Sequence, residues 1–461
     1  MTESMPRLLL DAGRTRRNHE WAAVQRRRLR ESVAHARAHS PYYRDLYRGL
    51  PDGVDDPAAL PVTDKKALMA DYDRWAGDRE VTLERARAFV ADPELIGARF
   101  LGRYLVVTTS GTTGNPAIFI KDEQDIAVNY AMSARMMGSW LNARDITRIL
   151  AGGGRMAIVA ARNGHFMVSA GAARMRAHRL QRKAIRLFSV HAPLAELVAE
   201  LNAFRPALLL GYGSVLRMLA AEQEAGRLRV APVLVEPAGE TLTEDDYALL
   251  GRAFGAKVRD TYGASECPFL TEGCAHGWYH VNGDWVLAEP VEADYSPTPP
   301  GEQSHTVLVT NLANRVQPIL RYDLGDSVLQ RPDPCPCGNP LPALRVRGRV
   351  ANVLTFEGGP GGGSAVIAPL MLNTLVDRTP GVQLYQIVQT GPRTLRVRLR
   401  VTPGADPDTV WREVCDGIAG LLAEHGLDHV ILERATEPPE QSHGGKYRTV
   451  VPLKDPHDAR P

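Results

Sequence analysis

The stretch that decides the fold is Thr108-Thr109-Ser110-Gly111-Thr112-Thr113-Gly114-Asn115-Pro116, directly after the apolar run 104–107. Its two glycines let a backbone approach a phosphate closely, and its hydroxyl side chains offer hydrogen-bond donors. The pattern therefore indicates a loop that cradles nucleotide phosphates. Neither the P-loop motif G-x-x-x-x-G-K-[ST] nor the dinucleotide motif G-x-G-x-x-G occurs in the chain. By composition alone, the alternative is a surface turn rich in Ser, Thr and Gly.

Length and charge exclude several protein classes. The 461 residues suffice for about two to four domains. A net charge of +2, with both signs mixed, disfavours nucleic acid and anionic membranes as partners. Apolar runs fall short of the ~20 residues of a membrane helix. We therefore expect a cytoplasmic protein.

The order of apolar runs predicts an α/β fold. Short runs alternate with longer amphipathic stretches after residue 103, which is typical of βαβ units on a largely parallel sheet. Residues 1–95 are predicted to be mainly helical, and a β-rich subdomain is expected over 284–329. The region from 349 mixes strands and helices as a small α+β domain does. The predicted domains are 1–348 and 349–461. The predicted strands are 104–107, 156–161, 207–210, 233–235, 306–310, 318–322, 354–356, 384–388 and 395–401, and the predicted helices are 193–204, 367–377 and 407–425.

Five further segments occur in order along the chain. They are Gly239-Glu240, Tyr262-Gly263-Ala264-Ser265-Glu266, Arg321-Tyr322-Asp323-Leu324-Gly325-Asp326, Gly348-Arg349 and Gly444-Gly445-Lys446. With the 108–116 loop, this set resembles the adenylate-forming superfamily, whose phosphate loop is written S-G-T-T-G-x-P. Three segments are similar to the phenylacetate-CoA ligase group: Pro41-Tyr42-Tyr43, residues 204–212 and the sequence RYDLGD at 321–326. The resemblance covers most of the chain and implies a large N-terminal domain followed by a small mobile one.

The resemblance also implies roles for individual residues. Tyr262 would stack on adenine, Asp326 would accept hydrogen bonds from the ribose hydroxyls, and Glu266 would hold Mg²⁺. Lys446 would stabilise the charge that develops when a carboxylate attacks the α-phosphorus of ATP. The remaining nucleotide-binding residues would be Thr109, Ser110, Gly111, Thr112, Thr113, Gly114, Gly239, Glu240, Gly263 and Arg349.

Three positions depart from the superfamily pattern. Arg349 would be the hinge between the domains, yet Ala351 and Asn352 stand where relatives usually carry Asp. Asn115 replaces a Lys that many relatives carry in the phosphate loop, and Lys121 is a candidate to compensate for it.

The acid substrate is expected to bind between three segments of the large domain, judging by related enzymes. His165 would contact the carboxylate or gate the pocket, while Phe166 and Tyr212 would provide flat walls suited to an aromatic acid. The predicted pocket residues are His165, Phe166, Tyr212, Gly213 and Ala238. A structural role for His165, and a core position for the two aromatic residues, are the alternatives.

Four of the five cysteines fall between Cys267 and Cys337, which argues against a disulfide framework and for a metal site. Cys335-Pro336-Cys337-Gly338 forms a tight knuckle, and Cys274 with His280 would complete a tetrahedral, structural zinc site. Cys267 or His276 could replace His280 as the fourth ligand. Unliganded thiols in a loop are the alternative.

The resemblance implies an enzyme that uses ATP and Mg²⁺ to adenylate a carboxylic acid, expected to be aromatic, and transfers the acyl group to coenzyme A. Alternative acceptors are an amine, a carrier-protein thiol or a cofactor hydroxyl, and activation of nitrite for diazotisation is also open. A catalytically silent nucleotide-binding protein is a third possibility. A homodimer is possible, because subunits of the family commonly pair.

Overall fold

The computed structural model describes residues 3–17, 20–109, 117–160, 164–177, 182–190, 192–240, 242–349, 354–357, 364–367, 369–377, 379–441 and 448–453. These residues form two compact units. The first unit holds the described residues up to 346 except 325–327. The second unit holds 325–327 and the described residues from 347 onward.

Helices occupy most of the chain before the first strand. Two short 3₁₀ turns, Pro57–Ala59 and Pro93–Leu95, accompany them. The described α-helices are α1 (Met5–Arg17), α2 (Trp21–His39), α3 (Pro41–Leu46), α4 (Lys65–Ala70), α5 (Tyr72–Trp75), α6 (Leu83–Ala91), α7 (Glu123–Trp140), α8 (Ala143–Ala151), α9 (Met167–Ala177), α10 (Leu194–Phe204), α11 (Gly213–Glu224), α12 (Glu244–Phe254), α13 (Pro369–Asp377) and α14 (Pro407–Glu424).

Strands begin just after residue 104. The described strands are β1 (Leu105–Thr108), β2 (Ile118–Lys121), β3 (Met156–Ala160), β4 (Ile185–Ser189), β5 (Leu208–Tyr212), β6 (Leu234–Ala238), β7 (Lys257–Val258), β8 (Thr271–Gly273), β9 (Tyr279–Val281), β10 (Val286–Val291), β11 (Thr306–Asn311), β12 (Ile319–Asp323), β13 (Asp326–Gln330), β14 (Ala343–Arg349), β15 (Leu354–Glu357), β16 (Ser364–Ile367), β17 (Val382–Gly391), β18 (Thr394–Val401), β19 (Ile431–Arg434) and β20 (Val450–Val451).

A five-stranded sheet of order β4-β3-β5-β6-β7 forms the centre of the first unit, and all its strand pairs are parallel. Both faces are covered. Leu209 and Val235 belong to one hydrophobic cluster, whereas Leu208 and Leu234 pack on the other face with Trp140 of α7. Burial on both faces explains the uninterrupted apolar runs, because a strand with one wet face would alternate. The predicted α/β class is confirmed.

The expectation that residues 104–107 join the parallel sheet is wrong. β1 instead pairs with β2 in a separate antiparallel hairpin, with Leu105 opposite Lys121 and Thr108 opposite Ile118. Few residues separate the two strands. A parallel connection needs a crossover of a dozen or more residues, so this short loop can only join antiparallel neighbours.

The β-rich part of the first unit contains the sheet β10-β11-β12 and the antiparallel pair β8-β9. A buried ionic network ties an N-terminal helix to it. Arg135 of α7 contacts Asp284 at 3.0 Å, and Arg28 of α2 donates to the Asp284 carbonyl at 2.8 Å. The Arg28 guanidinium also lies 3.3 Å from the centre of the Trp285 ring, in cation–π geometry.

The second unit is an α+β structure with its own core. Its main sheet has the order β19-β18-β17-β20, and β15 with β16 forms a two-stranded sheet. Val397 of β18 packs with Val414 and Ile418 of α14 in a cluster that also includes Leu372 of α13. None of the helices in the described ranges is long and apolar enough to cross a membrane.

Candidate active site

Thr109 closes the neck of the β1–β2 hairpin. Its amide donates to the Ala117 carbonyl at 3.0 Å, and its Oγ1 accepts from the Ala117 amide at 2.9 Å. The residues between these two positions lie outside the described part of the chain, including Ser110, Gly111, Thr112, Thr113 and Gly114. The described structure thus defines the base of the predicted phosphate loop, and the loop's contacts with phosphate stay a prediction.

Two of the predicted pocket residues meet at the carboxyl ends of the central strands. Tyr212, the last residue of β5, lies opposite Ala238, the last residue of β6. Ligands of open α/β sheets bind at this edge. Gly213 then begins α11, and a Cβ there would lie 2.5 Å from the end of the Leu242 side chain, so a larger residue would displace that leucine.

Glu240 holds the start of α11. Its carboxylate accepts from the Ser214 amide at 2.6 Å and from the Ser214 hydroxyl at 3.0 Å. This arrangement caps an otherwise unsatisfied helical amide and complements the positive end of the helix dipole. Gly239 precedes it with φ +72°, in the left-handed region. The Gly239-Glu240 turn is therefore a fixed element between β6 and α11.

Tyr262 is anchored through its backbone, and its side chain is half-buried. Its amide donates to Thr271 Oγ1 at 3.0 Å, and the same hydroxyl donates back to the Tyr262 carbonyl at 2.7 Å. The ring lies 6.2 Å from the ring of Tyr279. Gly263 allows the following turn, because a Cβ there would lie 2.6 Å from the Pro268 carbonyl oxygen.

Glu266 has a buried side chain with one oxygen engaged. Tyr322 of β12 donates its hydroxyl to Glu266 Oε1 at 2.8 Å, and only 3% of Tyr322 and 6% of Glu266 is exposed. Among the described residues, no hydrogen bond to the second oxygen is seen. A carboxylate held at one oxygen, with the other available, suits a single bond to a hard cation such as Mg²⁺.

The backbone at Glu266 is clamped as firmly as its side chain. Lys121 Nζ donates to the Glu266 carbonyl at 2.7 Å, and Asn311 Nδ2 donates to the same oxygen at 3.1 Å. Lys121 is only 1% exposed and lies 3.9 Å from the buried Asp125 carboxylate. In the described residues its ammonium group positions Glu266, and compensation by Lys121 for the missing lysine at Asn115 stays a prediction.

His165 is buried, with 2% of the residue exposed. Its Nε2 is 3.3 Å from the Asp92 carbonyl oxygen, and its ring centre is 5.5 Å from that of Phe89. Burial lowers its pKa, so the neutral ring is favoured. Its backbone carbonyl accepts from the Thr108 amide at 2.8 Å, and Phe166 forms a parallel bridge with Thr108. These contacts are structural, and substrate contact by either side chain stays a prediction.

The remaining predicted nucleotide-binding and catalytic residues belong to the second unit or lie outside the described part of the chain. Asp326 is buried at the start of β13 and belongs to the second unit. Arg349 ends β14, but its side chain lies outside the described part of the chain, as do Ala351, Asn352 and Lys446. Their roles stay predictions.

Four predicted metal ligands converge in the first unit. The ligand atoms of Cys274, His280, Cys335 and Cys337 all lie within 4.8 Å of one another. Cys274 Sγ is 3.8 Å from Cys335 Sγ, and His280 Nε2 is 3.1 Å from Cys337 Sγ. Thiolates that share a tetrahedral zinc with Zn–S bonds of about 2.3 Å are about 3.8 Å apart. His280 Nδ1 lies 2.9 Å from the Leu341 carbonyl, which orients Nε2 towards the sulfurs.

This donor set fits structural zinc, because three sulfurs and one imidazole fill a tetrahedron and leave no open position. Of the two alternative fourth ligands, neither Cys267 nor His276 belongs to the cluster that the described residues form. Cys267 is fully buried elsewhere, and burial raises the pKa of its thiol well above the ordinary value.

Sequence reasoning gave no role to two groups that the structure places near these elements. Tyr322 lies within the quoted RYDLGD segment, but only the fold shows that its hydroxyl reaches Glu266. Glu236 lies on β6, two residues before Ala238, where burial and, secondarily, repulsion from Asp260 raise its pKa to about 8. The sequence signal that could have identified Glu236 is its position as the single charged residue within the run 233–238.

Comparisons with solved structures establish the fold. The chain superposes on 2-hydroxyisobutyryl-CoA ligase in the postadenylation state, in complex with R3-HIB-AMP, with a TM-score of 0.68 and 19% identity over 94% of this chain and 89% of that one. It superposes on the acyl acid amido synthetase AtGH3.15, in complex with 2,4-DB, with a TM-score of 0.63 and 14% identity over 95% and 92% of the two chains. The chain therefore has the fold of these ligases.

Sequence comparison gives a narrower result. Protein CapK of Staphylococcus aureus is 29% identical over 134 residues, which is 28% of each chain. The match thus spans under a third of this curated relative. No protein-family model matches the chain.

Proposed function

We propose that this protein is an adenylate-forming ligase that activates a carboxylic acid with ATP and transfers the acyl group to coenzyme A. The observation that carries the proposal is the full-length likeness to a CoA ligase bound to its acyl-adenylate, at a TM-score of 0.68. The buried hydrogen bond between Tyr322 and Glu266 supports the same conclusion. So do the motifs that occur in the superfamily's order along the chain.

In the first step, a carboxylate oxygen of the acid attacks the α-phosphorus of ATP, and the bond to pyrophosphate breaks. Glu266 would hold Mg²⁺, which neutralises phosphate charge when bound. The ring of Tyr262 would bind adenine by stacking, and Asp326 would accept hydrogen bonds from the ribose. Thr109, with the loop 110–114, would surround the phosphates.

Lys446 would stabilise the charge at the reacting oxygens. We propose that residues 349–461 form the lid that carries this lysine and turns about Arg349 between the two steps. In the second step, the thiol of coenzyme A loses its proton and its sulfur attacks the acyl carbon. The C–O bond to AMP then breaks, and the phosphate keeps the oxygen.

The acid is proposed to bind at the carboxyl edge of the central sheet, beside Tyr212, Gly213 and Ala238. The buried Tyr212 ring and Phe166 would favour an aromatic acid, as in the phenylacetate-CoA ligase group. Structural zinc at the Cys274, His280, Cys335 and Cys337 cluster would hold the β-rich subdomain together and take no part in the chemistry.

Transfer to an amine is the second candidate function. The likeness to an acyl acid amido synthetase, with a TM-score of 0.63 over 95% of this chain, favours it. The first half-reaction is the same, so only the acceptor differs. Nitrite as the activated acid, a carrier-protein thiol as acceptor and pairing into homodimers all remain compatible with this scheme.

A pyrophosphate-release assay tests the proposal. The protein would be incubated with ATP, Mg²⁺ and a panel of aryl acids, aliphatic acids and nitrite, each with coenzyme A, with a primary amine or with neither. We expect one acid class to release pyrophosphate and one acceptor to increase turnover.

The Lys446→Ala variant is the control, and it should lose pyrophosphate release while unfolding at the same temperature. Pyrophosphate release that persists in this variant would remove Lys446 from the mechanism. Silence across the whole panel would favour the catalytically silent nucleotide-binding alternative.

A further inference from the structure

A cavity lies in the β-rich part of the first unit. It has a volume of about 610 Å³, within the range of small-molecule sites. Its walls come from the segment around Ala58 and Val62, from β10, from the turn 294–298 and from Arg321 of β12. None of the residues assigned above to nucleotide, acid or zinc lines it.

A buried ion pair forms one side of this cavity. Arg321 Nε lies 3.4 Å from Glu289 Oε1, and their side chains are 11% and 19% exposed. The guanidinium also donates through Nη1 to the carbonyls of Ala58 at 3.1 Å and Leu60 at 2.7 Å. The cation is therefore fixed by its surroundings, independently of any ligand.

The pair leaves hydrogen-bonding capacity of both kinds unused. Glu289 Oε2 and Arg321 Nε are buried polar atoms with no hydrogen-bond partner in the described part of the chain. A buried donor or acceptor without a partner costs about 1–3 kcal/mol. These two atoms are shielded from solvent, but both side chains line the cavity and are 11% and 19% exposed, so the wall offers a ligand one positive and one negative group.

The backbone gives an independent indication. Four residues other than glycine have a positive φ in the described ranges, and two of them, Tyr295 at +63° and Arg321 at +46°, line this cavity. Such conformations cost of order 1–3 kcal/mol and concentrate at binding sites, where the surrounding structure holds them.

The rest of the lining selects the ligand's remaining features. Val62, Pro290 and Pro297 are apolar, and the Tyr295 ring adds a flat surface. Asp294 brings a second carboxylate, so the lining carries two acidic groups for one basic group. A ligand with an ammonium group, an adjacent carboxylate and an apolar side chain complements the ion pair and the apolar walls.

We propose that this cavity binds a small zwitterion with an apolar side chain, such as a free α-amino acid. Its ammonium group would pair with the Glu289 carboxylate, and its carboxylate would pair with the Arg321 guanidinium. The site is separate from Glu266: Arg321 contacts Ala58, Leu60 and Glu289, whereas the next residue, Tyr322, contacts Glu266.

Calorimetric titration of the full chain, without ATP, tests this proposal independently of any catalytic activity. The probes are L-leucine and L-phenylalanine, with L-leucinamide and N-acetyl-L-leucine as matched molecules that each lack one charge. We expect saturable binding of at least one amino acid and at least tenfold weaker binding of both analogues, because each loses one charge-assisted contact.

Two variants place the binding in this cavity. Glu289→Gln removes the acceptor's charge, and Val62→Phe adds bulk to the lining; each should weaken binding at least tenfold. The control is Glu302→Gln, at an exposed position that does not line the cavity, and it should bind the amino acids as the wild type does. The unfolding temperatures of all three variants show whether each one is folded. If one of the two cavity variants fails to fold, amino-acid binding by the other still tests the proposal.

The proposal is overturned if neither amino acid binds, or if L-leucinamide or N-acetyl-L-leucine binds as tightly as L-leucine. It is also overturned if the folded Glu289 and Val62 variants bind normally. Any of these results leaves the adenylation proposal unaffected, because that is measured by pyrophosphate release.

Discussion

The Tyr322 hydroxyl donates a 2.8 Å hydrogen bond to Glu266 Oε1, and both side chains are buried. This contact joins two segments that are far apart in the sequence and fixes the direction of a carboxylate whose backbone is also clamped by Lys121. If Glu266 holds Mg²⁺, Tyr322 is a positioning residue for that metal.

Replacing Tyr322 with Phe should therefore weaken the metal site more than the fold. We expect the Mg²⁺ concentration for half-maximal pyrophosphate release to rise about 10-fold, as is typical when a partner of a metal ligand is lost. Weaker Mn²⁺ binding in the presence of a non-hydrolysable ATP analogue, followed by electron paramagnetic resonance, provides a readout that needs no turnover.

Tyr43→Phe is the matched control for this variant. The Tyr43 hydroxyl is equally buried and donates to the Pro318 carbonyl at 3.1 Å, but no contact with Glu266 is seen among the described residues. It should lower the unfolding temperature without changing the Mg²⁺ requirement. Equal metal requirements in the two variants would assign Tyr322 a structural role only.

Zinc should copurify with the protein and depend on Cys337. Elemental analysis of protein prepared without added metal should give about one zinc per chain, and Cys337→Ser should lose most of it, because a closed site needs all four ligands. The unfolding temperature should fall with the zinc content. Cys415→Ser, on α14 of the second unit, is the control and should keep its zinc. Metal-free wild-type protein would refute the site.

Asp284 should be among the most destabilising positions in the chain. It pairs with Arg135 at 3.0 Å, and both side chains are at most 2% exposed. Asp284→Ala leaves a buried guanidinium without its counter-charge, which typically costs about 3–5 kcal/mol. Urea unfolding measures this loss. The exposed Asp333→Ala should change the free energy of unfolding little, and a similar loss in both variants would contradict the role of the ion pair.

Glu236 should make stability depend on pH. Its pKa rises from 4.5 to about 8 in the folded state, mainly through burial. Between these values the folded state keeps a proton that the unfolded state has lost, so the free energy of unfolding falls as the pH rises. Glu236→Gln should have a free energy of unfolding similar to that of the wild type near pH 4.5 and a higher one above pH 8. A variant whose stability falls with pH as steeply as the wild type would exclude Glu236 as the cause.

Much of the fold was readable from local patterns. The uninterrupted runs at β3, β5 and β6 and the helix at α14 were predicted within a few residues, because hydrophobic period and length distinguish buried strands from amphipathic helices. The antiparallel partner of β1 was missed. Pairing between strands depends on the connection, and the run before the phosphate loop carries no sign of which sheet it joins.

The candidate site was predictable in its motifs and less so in its contacts. The converging Cys274, His280, Cys335 and Cys337 were identified from residue type and the Cys335–Cys337 knuckle. By contrast, the sequence did not predict the contact between Lys121 and Glu266, because it arises only when distant segments of the chain pack together. Cavities such as that beside Arg321 and Glu289 have no sequence signature, because their walls come from four separate segments.

The central claim is that the acid is activated as an acyl-adenylate, and heavy-oxygen transfer tests it most directly. The acid that releases pyrophosphate would be labelled with ¹⁸O in its carboxylate and converted with ATP, Mg²⁺ and the acceptor. Because the attacking oxygen stays with phosphorus when the acyl group leaves, mass spectrometry should find AMP carrying one ¹⁸O atom. Unlabelled AMP, or ADP as the product, would contradict the adenylate mechanism.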